Sequence, residues 1–244
     1  MTSRSLLRIV ATLLFASSAH VPFGWLTSSA AGQDKSVKPG VNKQFEDPKP
    51  GEFVGRFEKE GRDVFDRRIE ILEAMSLKPG TIVADIGAGT GLFTRMFATK
   101  VGDEGKVYAV DIAANFIKHV EESATKAGLK NVKGVVCKPD SCELAPASVD
   151  VVFICDTYHH FEFPHKTMRS LHAALKPGGQ LILIDFERIE GKSSEWTLGH
   201  VRAGKEVFSK EVTDAGFKLV EEKKDLLRES YFLRFAKIEA EGTK

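Results

Sequence analysis

Cysteine is scarce in this chain. Only three occur, Cys137, Cys142 and Cys155, an odd number in one short stretch, which excludes a disulfide framework and leaves the expectation that they stay thiols. Charge of one sign is also lacking. Lys and Arg total 35 against 34 Asp and Glu, a formal charge of +1, so no basic face points to a nucleic-acid partner. No apolar run approaches the roughly 20 residues of a membrane-spanning helix. There is no His-x-x-x-His or Cys-x-x-Cys pair with which a zinc ion is usually anchored. No internal repeat is present.

The first 32 residues contain no acidic residue at all. Arg4 and Arg8 precede the apolar stretch "IVATLLFA", and a small-residue exit, "TSSAAG", follows. Positive start, short apolar core and small-residue exit are the pattern of an export signal peptide, expected over residues 1–32. With such a leader the protein is exported, periplasmic or secreted, and keeps no transmembrane helix once the leader is removed. Without one it is cytoplasmic. Residues 33–56, rich in Pro, Gly and charge, read as a linker, and the folded domain is expected over 57–240.

From Phe57 onward apolar strands alternate with amphipathic helices. "TIVADIG", "GKVYAVDI", "NVKGVVC", "SVDVVFIC" and "QLILIDF" are short apolar runs. Between them, "LFTRMFATKV", "NFIKHVEESATKAG" and "HKTMRSLHAALKPGG" have helical spacing and Gly or Pro-Gly stops. A single helix is expected over "RDVFDRRIEILEAMSL", with a late helix and a late strand, "YFLRFAKI". Strands apolar on both faces imply an α/β fold, a doubly wound, Rossmann-like, mostly parallel sheet.

In such a sheet ligands bind beyond the carboxyl ends of the strands. The first strand runs into "DIGAGTG", Asp85 to Gly91, and then into a helix. Gly87, Gly89 and Gly91 allow positive φ and close backbone approach. The dinucleotide fingerprint is G-x-G-x-x-G. Here the third glycine arrives one residue early, and Leu92 stands where that fingerprint has glycine. Asp111 ends the second strand about 20 residues on, the register of a ribose-diol acceptor. Asp85 can favour a cationic ligand or cap the following helix. Asp140 in "CKPDSCEL" can accept a ligand amino group or serve the turn.

"ADIGAGTG" resembles motif I of the class I S-adenosylmethionine-dependent methyltransferases. "VYAVDI", "CKPDSCEL" and "LKPGGQLILIDF" are similar to that family's following segments, and the likeness is nearest the small-molecule group that includes quinone C-methyltransferases. The resemblance implies a seven-stranded sheet with an antiparallel last strand. It implies S-adenosylmethionine as donor and a small-molecule acceptor. It places the cofactor against Asp85, Gly87, Ala88, Gly89, Gly91, Asp111, Ile112, Asp140, Ser141 and Asp156, with Asp140 on the adenine amino group.

"CDTYHHFEFPH" then lies at the exit of the fourth strand. If that strand continues, His159 and His160 point to opposite sides, so no metal site is expected. A histidine base is the catalytic expectation, because one is needed when the methyl acceptor must lose a proton. A plain substrate wall is the other reading of the same residues. Trp196, His200 and Arg202 fall in the segment where the family builds its substrate cover, Arg202 facing either an acidic substrate group or solvent. Two rivals remain at this point: an NAD-dependent reductase, and an exported nucleoside-binding protein without catalysis.

Overall fold

A computed structural model describes residues 34–239, all within the second of the chain's two compact units, Gly32–Lys244. The leader expected over residues 1–32 lies outside the described residues.

The chain enters through a 3-10 turn, Lys43–Phe45, and α1, Pro50–Phe57. Two short helices follow, α2, Asp63–Asp66, and α3, Arg68–Met75. Strand β1, Ile82–Ile86, leads to α4, Leu92–Val101, and β2, Lys106–Asp111, leads to α5, Ala114–Lys126. Next come β3, Val132–Val136, β4, Val149–Cys155, and α6, Pro164–Ala174. The chain then runs through β5, Leu175–Phe186, α7, Glu195–His200, and α8, Lys205–Asp214. It closes with β6, Phe217–Glu222, and β7, Ser230–Lys237. The sheet order is β3-β2-β1-β4-β5-β7-β6. All pairs from β3 to β5 are parallel, and β7 is antiparallel to both β5 and β6. The expected fold class, including the antiparallel last strand, is the one observed.

Alternation along each strand explains why the runs are apolar throughout. On β5, Leu181 and Leu183 join one core with Met168, Leu171 and Phe208. Ile182 and Ile184 join the opposite core with Ile71, Phe93 and Phe97. Both faces are covered, so neither tolerates polar residues.

Two expectations are corrected, and one strand had not been placed. The helix expected over residues 62–77 breaks at Arg67. Beside the break, buried Asp63 accepts the backbone N–H groups of Arg228 and Glu229 at 2.7 and 2.9 Å, tying this turn to the loop before β7. Strand β6 was not legible because only Phe217 in it is buried, while Lys218, Leu219 and Glu222 are exposed. The stretch 33–56 is more than a linker, since α1 and its approach pack onto the domain. Phe53 stands edge-on to Phe116 of α5 at 5.2 Å, flanked by Phe45 and Phe57 at 5.6 and 5.3 Å. Asn115 donates to Asp47 and to the carbonyl of Pro48 at 2.6 and 3.2 Å.

Truncating the centre of that aromatic cluster should therefore be felt by the whole domain. Phe53→Ala is expected to cost about 3 kcal/mol in urea unfolding. An unchanged midpoint would mean that residues 43–57 are not part of the cooperative unit.

Candidate active site

The order of strands reverses between β1 and β4, so the carboxyl ends of these neighbours diverge and leave a crevice. A cavity of about 560 Å³ opens there. Gly87, Ala88 and Gly89 of the glycine loop line it, as do Asp85, Asp111, Ile112, Ser141, Asp156, His159 and His160. The approach is tight. Gly87 has φ +71°, and a Cβ on it would lie 2.2 Å from Thr157 Cγ2, so no other residue fits without displacing the exit of β4.

Two of the expected cofactor residues lie elsewhere. Asp140 is half exposed, 3.8 Å from Lys166, and its neighbour Ser141 lines the cavity instead. The two-residue Pro139-Asp140 turn between Lys138 and Ser141 points the aspartate outward. Gly91 begins α4 with φ +81°, and a Cβ there would meet Val120 of α5 at 2.9 Å. It is kept small by helix packing, not by the cavity.

The buried acids are individually partnered. Asp85 Oδ2 accepts from Thr94 Oγ1 at 2.6 Å. Burial pushes the Asp85 carboxyl up to about 7, opposed by the Thr94 hydroxyl and reinforced by the nearby charge of Asp111. Asp111 accepts from the N–H groups of Gly89 and Ala113, each at 2.9 Å, yet burial still raises it. Asp156, with the left-handed φ of +49°, takes Arg62 Nη2 on Oδ2 at 2.7 Å. Its Oδ1 is buried without a partner among the described residues, and burial raises this carboxyl despite the Arg62 charge. Sequence pattern held no signal for Arg62, which reaches the site from the start of α2.

The histidines depart from expectation. Strand β4 ends at Cys155, and Tyr158–His160 form a 3-10 turn. His159 and His160 therefore do not face opposite ways. Their ring centroids are 4.3 Å apart, and each lies 5.1 Å from His200 of α7. His160 Nε2 is 3.3 Å from His200 Nε2. Asp185, fully buried at the end of β5, takes His159 Nδ1 at 2.8 Å and the His159 backbone N–H at 3.1 Å. A carboxylate can only accept, which assigns a ring proton to Nδ1, so that in the neutral ring Nε2 is a bare lone pair. Burial, with help from the neighbouring rings, pushes His160 down to about 2 and lowers His200 as well. Asp185 stands in "QLILIDF" and His159 in "CDTYHHFEFPH", and only the β4–β5 pairing brings the two together.

Arg202 faces neither substrate nor solvent, since it forms two bonds with Glu211 at 2.8 and 2.6 Å. Trp196 stacks on His200 at 4.6 Å and meets Phe186 edge-on. The three cysteines are free. Burial pushes Cys137 up to about 12 and Cys155 well above the ordinary thiol range, so neither is an activated nucleophile.

Residues 77–231 match the family described as a methyltransferase domain. The chain belongs to that family. The ubiquinone/menaquinone biosynthesis C-methyltransferase of Hydrogenovibrio crunogenus is 28% identical over 119 residues, which are 48% of this methyltransferase-family chain and 47% of that protein. The demethylmenaquinone methyltransferase of Listeria monocytogenes is 32% identical over 118 residues, 48% of this chain and 50% of that protein. The chain thus spans about half the length of the curated relatives it matches. The structure of an S-adenosylmethionine-dependent methyltransferase from Aquifex aeolicus covers 78% of this chain and all of its own at a TM-score of 0.69 and 24% identity, a likeness of fold. Family and fold place the chain among the class I methyltransferases, and they lend nothing to the reductase or to the non-catalytic reading.

The raised Asp85 has a consequence for stability. Its folded value is about 7, against about 3.9 for an unfolded aspartate. Its contribution is therefore complete below the unfolded value and is lost as the pH rises to about 7, on the order of 4 kcal/mol at most. Ligand-free protein should show a falling urea midpoint between pH 5 and 7.5, and Asp85→Asn should flatten that fall. Parallel pH profiles for the two proteins would show that Asp85 is already ionised at pH 5.

Proposed function

We propose that this protein transfers a methyl group from S-adenosylmethionine to an apolar, ring-bearing small molecule of the reduced-quinone type. One arrangement supports the donor: a glycine loop at the switch point with Asp85 and Asp111 ending adjacent strands beside it. Bound there, the donor supplies an electrophilic methyl group on a sulfonium, and alignment can provide much of the acceleration.

The residues present suit that ligand. Asp111, already held by Gly89 and Ala113, keeps lone pairs for two ribose hydroxyls. Ala88 and Ile112 supply apolar walls, and Ser141 replaces Asp140 as the polar group on the loop after β3. Asp85 and Asp156 offer negative charge in a buried setting to a ligand bearing an ammonium and a sulfonium, and Asp156 Oδ1 lacks any other partner among the described residues. On the acceptor side, Phe45, Phe57, Phe116, Phe186 and Trp196 give aromatic walls. His159, oriented by Asp185, presents a bare nitrogen to whatever proton the acceptor releases. The quinone class draws further support from the relatives' names.

Calorimetry with S-adenosylhomocysteine tests the donor site. Asp111→Ala removes charge-assisted hydrogen bonds of about 1.5–3 kcal/mol each, so affinity should drop tenfold or more. Equal affinity would sink the placement. Labelled methyl transfer to reduced quinones, with thiols compared in parallel, tests the acceptor class, and a preference for thiols would redirect it.

The same proposal includes export. Its support is Arg4, Arg8, the apolar run and "SSAAG", all outside the described residues. Cleavage near residues 31–32 would leave every described contact in place. Intact mass spectrometry on protein from its native cell should find a species without those residues, and a cytoplasmic species retaining Arg4 and Arg8 would refute export.

A further inference from the structure

We propose that His159, His160 and His200 bind one divalent transition-metal ion, with Zn²⁺ as the reference occupant, at a site open to the methyl-transfer cavity. Beyond the missing His-x-x-x-His or Cys-x-x-Cys pair, the sequence argued against a metal because a continuing strand would have parted His159 from His160. The 3-10 turn removes that objection.

The geometry points to an ion. One ring nitrogen from each histidine lies within 4.8 Å of the other two. Zinc–imidazole bonds of about 2.0–2.1 Å in a tetrahedron set its nitrogen–nitrogen edge at about 3.3–3.4 Å. The His160–His200 pair is already at 3.3 Å. His200 sits on the six-residue α7 and is only partly buried, so it is the ring with room to close the remaining gap.

Proton counting supports the same conclusion. Each neutral imidazole carries one N–H. That of His159 is committed to Asp185, and the His160–His200 contact holds at most one more. At least two lone pairs therefore converge on one small space, an arrangement that a cation resolves. Asp185 behind His159 completes the carboxylate–histidine–metal relay that fixes ring orientation and strengthens the ligand. Three nitrogen ligands and no carboxylate suit zinc or its transition-metal neighbours and not magnesium or calcium.

All three histidines line the cavity that Gly87 and Gly89 also line, so an ion held by them would have its fourth position open to that cavity. Three protein ligands and one open place are the pattern of a reactive, not a structural, zinc site. An acceptor hydroxyl or thiol held there would release its proton to solvent near neutral pH, as metal-bound water does, so the ion would stand in for the His159 base, whose lone pair it takes up. Only this last consequence rests on the methyl-transfer reading; binding of the ion does not.

The test uses the full chain, stripped with a chelator and titrated with Co²⁺. One Co²⁺ per chain should bind with the visible d–d bands of tetrahedral nitrogen coordination, and Zn²⁺ should displace it. His200→Gln, on a partly exposed helix, and Asp185→Asn should each weaken binding about 10- to 100-fold, with folding checked by circular dichroism. Absence of those bands, thiolate-to-cobalt charge-transfer bands, or unaltered affinity in folded His200→Gln would overturn the site. Calorimetry with S-adenosylhomocysteine on the same samples separates the two readings. Normal cofactor binding without cobalt binding overturns the metal alone, whereas cobalt binding without cofactor binding upholds the metal and sinks the donor assignment.

Discussion

The parallel register of β1 with β4 governs everything functional in this molecule. It sets Asp85 opposite Phe153 and Ile86 opposite Ile154, so both strands end level with one another. The next residues must then pass side by side, and Gly87 does so against the Thr157 side chain at a distance that excludes a Cβ. From this point the two chain directions diverge, one into α4 and the other into the turn at Tyr158–His160. The cavity is the space that divergence leaves.

Because both faces of the sheet are packed with apolar side chains, buried charge can accumulate only at strand ends. Four aspartates stand there, Asp85, Asp111, Asp156 and Asp185, at the ends of β1, β2, β4 and β5. Each is held by a different kind of partner: a threonine hydroxyl, two backbone N–H groups, an arginine and a histidine. The set makes the carboxyl edge of the sheet strongly attractive to cations. It also divides the cavity. Asp85 and Asp111 belong to the glycine-loop side, while Asp185 acts through His159 on the opposite side.

Residues ahead of the first strand cap this edge. Phe45 approaches His160 edge-on at 5.2 Å, and Asn42 donates to the carbonyl of His160 at 3.1 Å. Lys38 donates to the carbonyl of His200. A stretch whose composition reads as a linker is thus the wall that encloses the histidines. Composition misled because its two phenylalanines, Phe45 and Phe53, are spread among Pro, Gly and charged residues, where no periodic pattern can form.

What the sequence by itself determined was the alternating architecture, the glycine loop, and Asp85 and Asp111 at their strand ends. Those features are local: a strand's apolar run, its terminal acid and the glycines after it are neighbours in the chain, and spacing alone orders them. Only the tertiary structure decided which way Asp140 and Gly91 face, that Asp185 pairs with His159, and that His200 joins His159 and His160. These depend on contacts between residues 26 to 40 positions apart and on a strand ending at Cys155 instead of running on. Period-two alternation stops predicting side-chain direction where a strand turns into a 3-10 helix, and the histidines lie at that boundary.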